Sequence, residues 1–119
     1  RAKGIAVPII PGLMCINAYA GFKRMVSFCH TRVPPEVATR VEAIGQNDDE
    51  AMKAFGVEYG TEMCRRLLAG GAPGLHFYTL NLERVATGIL KQLGMQGRYS
   101  EEARPEDTAQ MIGMIKSAK

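Results

Sequence analysis

His76, Tyr78, Thr79 and Asn81 fall within the stretch Gly74-Leu75-His76-Phe77-Tyr78-Thr79-Leu80-Asn81, which concentrates polar groups at its C-terminal end. The stretch is an apolar run of β-forming residues, entered by Ala72-Pro73-Gly74 and left at Asn81. Its length and composition predict a buried strand. Helical patterns lie on both sides of it, and in parallel α/β folds the C-terminal end of such a strand faces the ligand. Tyr78, Thr79 and Asn81 are therefore the first candidates for site contacts, with Tyr78 foremost. Strand alternation puts His76 on the same side as Tyr78. A packed, hydrogen-bonded imidazole is the simpler role for it than catalysis.

Other chemistry is sparse. Cys15, Cys29 and Cys64 are odd in number and contain no CxxC pair, so reduced thiols are the simplest expectation. Cys15 sits nearest the expected site face and has the best claim of the three to reactivity. His30 and His76 are far apart and neither lies in a HExxH pattern, so no metal site is expected. Asn47-Asp48-Asp49-Glu50 precedes a long helical pattern, with Asn47 as the expected cap and the acids at the positive end of the helix dipole. The formal charge of +3 is dispersed and no basic block interleaves with aromatics, which argues against nucleic-acid binding. Neither a signal peptide nor a membrane-length apolar run is found.

These groups need elements to hold them. Ile5-Ala6-Val7-Pro8-Ile9-Ile10 reads as a buried strand ended by the turn Pro11-Gly12, and residues 13–17 read as a loop. Asn17 is the expected cap of a helix whose stripe is Tyr19, Phe22, Val26 and Cys29. Pro35 suits the first turn of a second helix carrying Val37, Val41 and Ile44 and closed by Gly45. A third helix follows with Met52, Phe55, Tyr59, Met63 and Leu67 on one stripe. Gly56 and Gly60 each cost that helix about 1 kcal/mol, which implies that another element packs close to its backbone there. Leu82, Val85, Ile89 and Leu93 mark a last helix closed by Gly94. Residues 96–119 read as a linker-like tail with a possible short helix bearing Met111, Ile112 and Ile115.

The order β–α–α–α–β–α places two parallel strands in one sheet, joined by a multi-helix crossover. Two strands cannot make a covered parallel sheet. A partial TIM (β/α)8 barrel, holding the last two β/α units, explains the excess of helices. The start Arg1-Ala2-Lys3-Gly4, without an initiator Met, also suggests a fragment.

Val7-Pro8-Ile9-Ile10-Pro11-Gly12, Phe22-Lys23-Arg24, Val33-Pro34-Pro35-Glu36 and Asn47-Asp48-Asp49-Glu50 resemble consecutive landmarks of methylenetetrahydrofolate reductase. So do Met63-Cys64-Arg65-Arg66-Leu67-Leu68-Ala69 and Gly74-Leu75-His76-Phe77-Tyr78-Thr79-Leu80-Asn81. The resemblance runs in order from Ile5 to Met95 and is closer to eukaryotic members. It implies that residues 1–95 are the C-terminal portion of the catalytic barrel: strand seven, its crossover, strand eight and the final helix. The implied enzyme is a cytoplasmic FAD-dependent homo-oligomer. It would take a hydride from NAD(P)H to convert 5,10-methylenetetrahydrofolate into 5-methyltetrahydrofolate for methionine supply.

The family's catalytic glutamate and most FAD contacts lie on segments outside this chain, so the resemblance assigns no catalytic residue here and implies that the chain alone is inactive. Tyr78 and Leu80 keep the pattern at the mouth of strand eight and would face the flavin and substrate. Leu82 stands where the family often has a folate-proximal arginine. Gly21 and Met25 stand where bacterial members have a folate-binding glutamine and a stacking phenylalanine; Met25 retains an apolar contact and Gly21 cannot donate a side-chain hydrogen bond. The implied partners are folate and either the rest of the barrel or a homologous subunit. Alternatives are a non-catalytic product that pairs with a full-length subunit, a misfolding remnant, or another β/α-barrel enzyme using phosphate-bearing ligands. The absence of a Gly-rich phosphate loop counts against the last.

Overall fold

The computed structural model describes residues 3–95. The order is β1 (Gly12–Met14), α1 (Tyr19–Cys29), α2 (Pro35–Ile44), α3 (Asp49–Ala69), β2 (His76–Tyr78) and α4 (Glu83–Gln92). The two strands pair in parallel, with Gly12 opposite His76, Leu13 opposite Phe77 and Met14 opposite Tyr78. The expected element order and strand direction are both present. The expected helix in 96–119 lies outside the described residues.

The first strand is not where the sequence pattern put it. Residues 5–10 are exposed and form no strand, and pairing begins at Gly12, inside the stretch expected to turn and then loop. Pro8 and Pro11 lack N–H groups, which leaves the earlier run poor in ladder donors. The Pro11 carbonyl instead accepts from the His76 amide at 3.0 Å, just ahead of the paired register. The second strand is also shorter than 74–81 and is buried on one face only. Phe77 packs beside Leu13 while His76 and Tyr78 are exposed, because among the described residues helices cover a single face of the sheet.

That covered face holds one core, built from Leu13, Cys64, Val85 and Ile89. A second core lies under α2, where Val37 and Val41 meet Met52 and Phe55. Helix α3 contributes to both cores, as its long apolar stripe requires. Its glycines explain how α4 gets so close. A Cβ on Gly56 would collide with the Ile16 carbonyl oxygen, and one on Gly60 with the Ile89 side chain. Across the seam, a Cβ on Gly88 would come within 2.7 Å of Val57 Cγ2. The close approach expected at Gly56 and Gly60 is therefore supplied by the segment after β1 and by α4.

Two caps are shifted by one residue. Asp48, not Asn47, caps α3, its Oδ1 accepting from the Ala51 amide at 2.9 Å. Ala18, not Asn17, occupies the cap of α1 and makes no side-chain bond; the Asn17 side-chain amide donates to the Cys15 carbonyl at 3.1 Å and is used up closing the loop. Pro35 sits in the first turn of α2 as expected. Exposed ion pairs link the helices. Lys23 meets Glu42 at 2.8 Å, and Arg84 and Arg40 make two-pronged contacts with Glu50 and Glu58. Solvent screening leaves each such surface pair a small contribution to stability.

Candidate functional site

The four-residue loop after β1 lays α1 across the C-terminal end of the sheet. Between them opens a cleft of about 640 Å³. Met14, Cys15 and Ile16 form one wall and Tyr78, Thr79, Leu80 and Leu82 another. Phe22, Met25 and Val26 of α1 cover it, and Tyr59 and Met63 of α3 are its floor. No residue of α1 is fully buried. Its apolar stripe is divided: Tyr19 and Phe22 pack against the core under α2, and Phe22, Met25 and Val26 face this open space. Cys29, expected on that stripe, is exposed, and its thiol donates to Met25 Sδ at 3.3 Å.

The cleft brings together Met25, Tyr78, Leu80 and Leu82, the contacts implied by the resemblance, with Thr79, Gly21 and Cys15, which the sequence also placed near the site. Asn81 is not in its lining. His76 is also outside the lining, but its ring meets the Tyr78 ring edge-on, with centroids 4.7 Å apart and planes at 66°. This confirms that the two share one side of the strand. On the other flank Tyr78 lies against Gly12, where any Cβ would be 2.5 Å from Tyr78 Cε2. Tyr78 is thus held between an imidazole and a bare backbone, with 51% of its surface exposed toward the open face of the sheet. Gly12 belongs to the site as a notch. Sequence reasoning took it for a turn residue, and only the cross-strand register reveals it.

A strained turn sets the mouth of β2. Leu80 and Asn81 both have positive φ, 50° and 63°, and the Leu82 amide donates to the Thr79 carbonyl at 2.8 Å. Asn tolerates this conformation, whereas for Leu it costs about 1–2 kcal/mol. The turn swings Leu80 and Leu82 out to the cleft rim, where they are 70% and 54% exposed. Leu82 also occupies the position ahead of α4 without capping it. Its side chain brings only apolar surface to this wall.

Cys15 lines the cleft, but its surroundings oppose the reactivity proposed for it. Burial pushes its thiol pKa up and the nearby Cys64 adds to the rise, so little thiolate forms near neutral pH. Burial raises Cys64 as well. Arg32 was lost among the dispersed charges at the sequence level, yet it lines the cleft from the α1–α2 loop. It lies just ahead of the landmark Val33-Pro34-Pro35-Glu36 and outside it, so only the fold could have pointed to it. Among the described residues no cluster of three or more His, Cys, Asp or Glu is placed to hold a metal ion, and no helix is long and apolar enough to cross a membrane.

The profile of the methylenetetrahydrofolate reductase family matches residues 1–94. The chain belongs to the methylenetetrahydrofolate reductase family. It is 52% identical over 95 residues to the probable methylenetetrahydrofolate reductase (NADH) of Oryza sativa subsp. japonica, covering 80% of this chain and 16% of the relative. It is 43% identical over 96 residues to the probable methylenetetrahydrofolate reductase (NADPH) of Caenorhabditis elegans, covering 80% of this chain and 14% of the relative. The 5,10-methylenetetrahydrofolate reductase of Salmonella typhimurium is 30% identical over 95 residues, covering 80% of this chain and 32% of the relative. The chain thus spans between about a seventh and a third of the lengths of these reductases. In the family's terms, the cleft stands at the carboxyl end of two parallel strands, the end at which barrel enzymes build their active sites.

Proposed function

We propose that this segment forms the last two β/α units of the catalytic barrel of a cytoplasmic, homo-oligomeric reductase. That enzyme would convert 5,10-methylenetetrahydrofolate to 5-methyltetrahydrofolate with FAD and NAD(P)H. One observation carries the proposal: Met25 and the sequence-distant group Tyr78, Leu80 and Leu82 line one largely apolar cleft at the carboxyl end of parallel strands. A space of about 640 Å³ lies within the roughly 300–1,000 Å³ of small-molecule sites. Its apolar walls suit a planar ring system, so the residues present fit both the ring portion of FAD and a folate. Tyr78 and Leu80 would bound the flavin side, and Met25, Tyr78 and Leu82 the substrate. Bound FAD would supply the hydride-carrying chemistry. The protein's share here is to orient rings, exclude water and present the Tyr78 hydroxyl at the open face.

The 119-residue chain by itself is proposed to be inactive. Ile5, Val7, Ile9 and Ile10 are 46–67% exposed, and the Tyr78 face of the sheet is open. These surfaces suit the rest of a barrel or a homologous subunit. The test compares the isolated chain with the same segment carried in a complete barrel. Flavin absorbance, melting with and without FAD, and NAD(P)H oxidation coupled to methylenetetrahydrofolate are measured on both. Flavin and turnover only in the complete barrel are expected. A complete barrel without flavin, or turnover by the isolated chain, would sink the corresponding part of the proposal. Capture of the isolated chain by a full-length subunit would favour a pairing role.

A further inference from the structure

Among the described residues, Arg32 is the sole charged one lining the cleft; every other lining side chain is apolar or neutral. It takes part in none of the ion pairs among the described residues, although Lys23, Arg40, Lys53 and Arg84 all find carboxylates. It is exposed, so its guanidinium is free to meet a ligand. The loop that carries it follows the helix bearing Met25, so Arg32 approaches from the roof of the cleft, whereas Tyr78 and Leu80 come from the strand end. Leu82, across the cleft, brings no cation to the opposite wall.

We propose that Arg32 binds the anionic tail of the substrate, a carboxylate of the glutamyl group, while the apolar remainder of the cleft takes the rings. This rests on the folate assignment above and deepens it. An arginine presents a planar fork of donors that matches a carboxylate in two-pronged fashion. The apolar and neutral lining offers no second charge to compete for such a contact. One end of the cleft would then recognise charge and the other shape, which fixes the direction in which the substrate lies.

The test uses the complete barrel carrying this segment and two probes, 5-methyltetrahydrofolate and the matching pteroate that lacks the glutamyl group. Equilibrium dissociation constants are measured for both in the unaltered protein, Arg32→Gln and Arg32→Lys, with flavin content recorded alongside. The unaltered protein is expected to prefer the glutamyl form by roughly ten- to a hundredfold, the range of a charge-assisted hydrogen bond. Arg32→Gln should abolish the preference without changing pteroate affinity or flavin content, and Arg32→Lys should keep part of it. Added salt should erode the preference only where the cation is present. An unchanged preference in Arg32→Gln overturns the assignment of Arg32 while leaving the folate reading intact. So does loss of flavin in place of loss of the preference, which would give the guanidinium to the cofactor's phosphates. Failure of both probes to bind the unaltered protein overturns the folate reading and this inference with it.

Discussion

The α3–α4 seam and the α1 roof are built from the same materials, amphipathic helices with a glycine in each, and they behave in opposite ways. At the seam, Gly56, Gly60 and Gly88 are notches into which a carbonyl, an isoleucine and a valine fit. Val85, Ala86 and Ile89 are buried there. On the roof, a Cβ at Gly21 would meet nothing within 4 Å, and α1 has no buried residue. A glycine under close packing is a structural requirement. A glycine facing open space is a cost to the helix, tolerated where the surface serves something other than the core. The contrast separates a closely packed seam from a helix surface left open to the cleft.

Substitution can break this contrast most forcefully at Gly56. Alanine there would strike the Ile16 carbonyl, a backbone group that cannot swing aside, and should cost about 3 kcal/mol. The measurement is the urea midpoint of the complete barrel, and a change within experimental error would show that the seam is looser than described. Thr61 sharpens the same region. Its hydroxyl is buried without a partner among the described residues, so Thr61→Val should stabilise by about 1 kcal/mol. A loss of stability would reveal a hidden partner for that oxygen.

The roof should respond with the opposite sign. Gly21→Ala is expected to stabilise by about 0.5–1 kcal/mol, through helix propensity and a stiffer unfolded chain. A destabilised variant would mean that the open space above Gly21 is filled in the assembled protein. The smallest effect belongs to the polar contact between α1 and α2. Hydrogen bonds from Lys23 and then Tyr19 hold the Glu42 carboxyl below its usual pKa. A depressed carboxylate stabilises the fold above its unfolded-state pKa, and that contribution disappears as pH falls through the folded-state value. Glu42→Gln should therefore flatten the acid limb of melting temperature against pH, and high salt should shrink the difference, since the group is exposed. An acid limb as steep as before would assign the titration elsewhere.

The helices were legible because their information is local. Stripes such as Met52, Phe55, Tyr59 and Met63, a proline at Pro35 and glycines at Gly45 and Gly94 each act within a few residues. The strands were legible in number and direction but not in position. Ile5 to Ile10 has a strand's composition, yet pairing is decided by a partner sixty or more residues away, and that partner selects Gly12–Met14. The site divided along the same line. Tyr78 and Thr79 follow from the rule that strand ends face ligands, which also pointed to Asn81, a residue outside the lining; Leu80 follows only from the family pattern. Gly12 matters only through cross-strand register, and Arg32 only because α1 folds over the sheet.

The two-stranded sheet has a consequence for handling the segment. Among the described residues each strand pairs only with the other, so two outer edges present backbone donors and acceptors to solvent, beside the exposed Ile5, Val7, Ile9 and Ile10. Unpaired parallel edges are templates for further strands, whichever chain supplies them. In the proposed barrel, adjoining strands would fill that demand. In a test tube copies of the segment would fill it for one another, so protein concentration becomes an experimental variable as influential as pH or salt, and light scattering belongs beside every spectrum taken of the isolated piece.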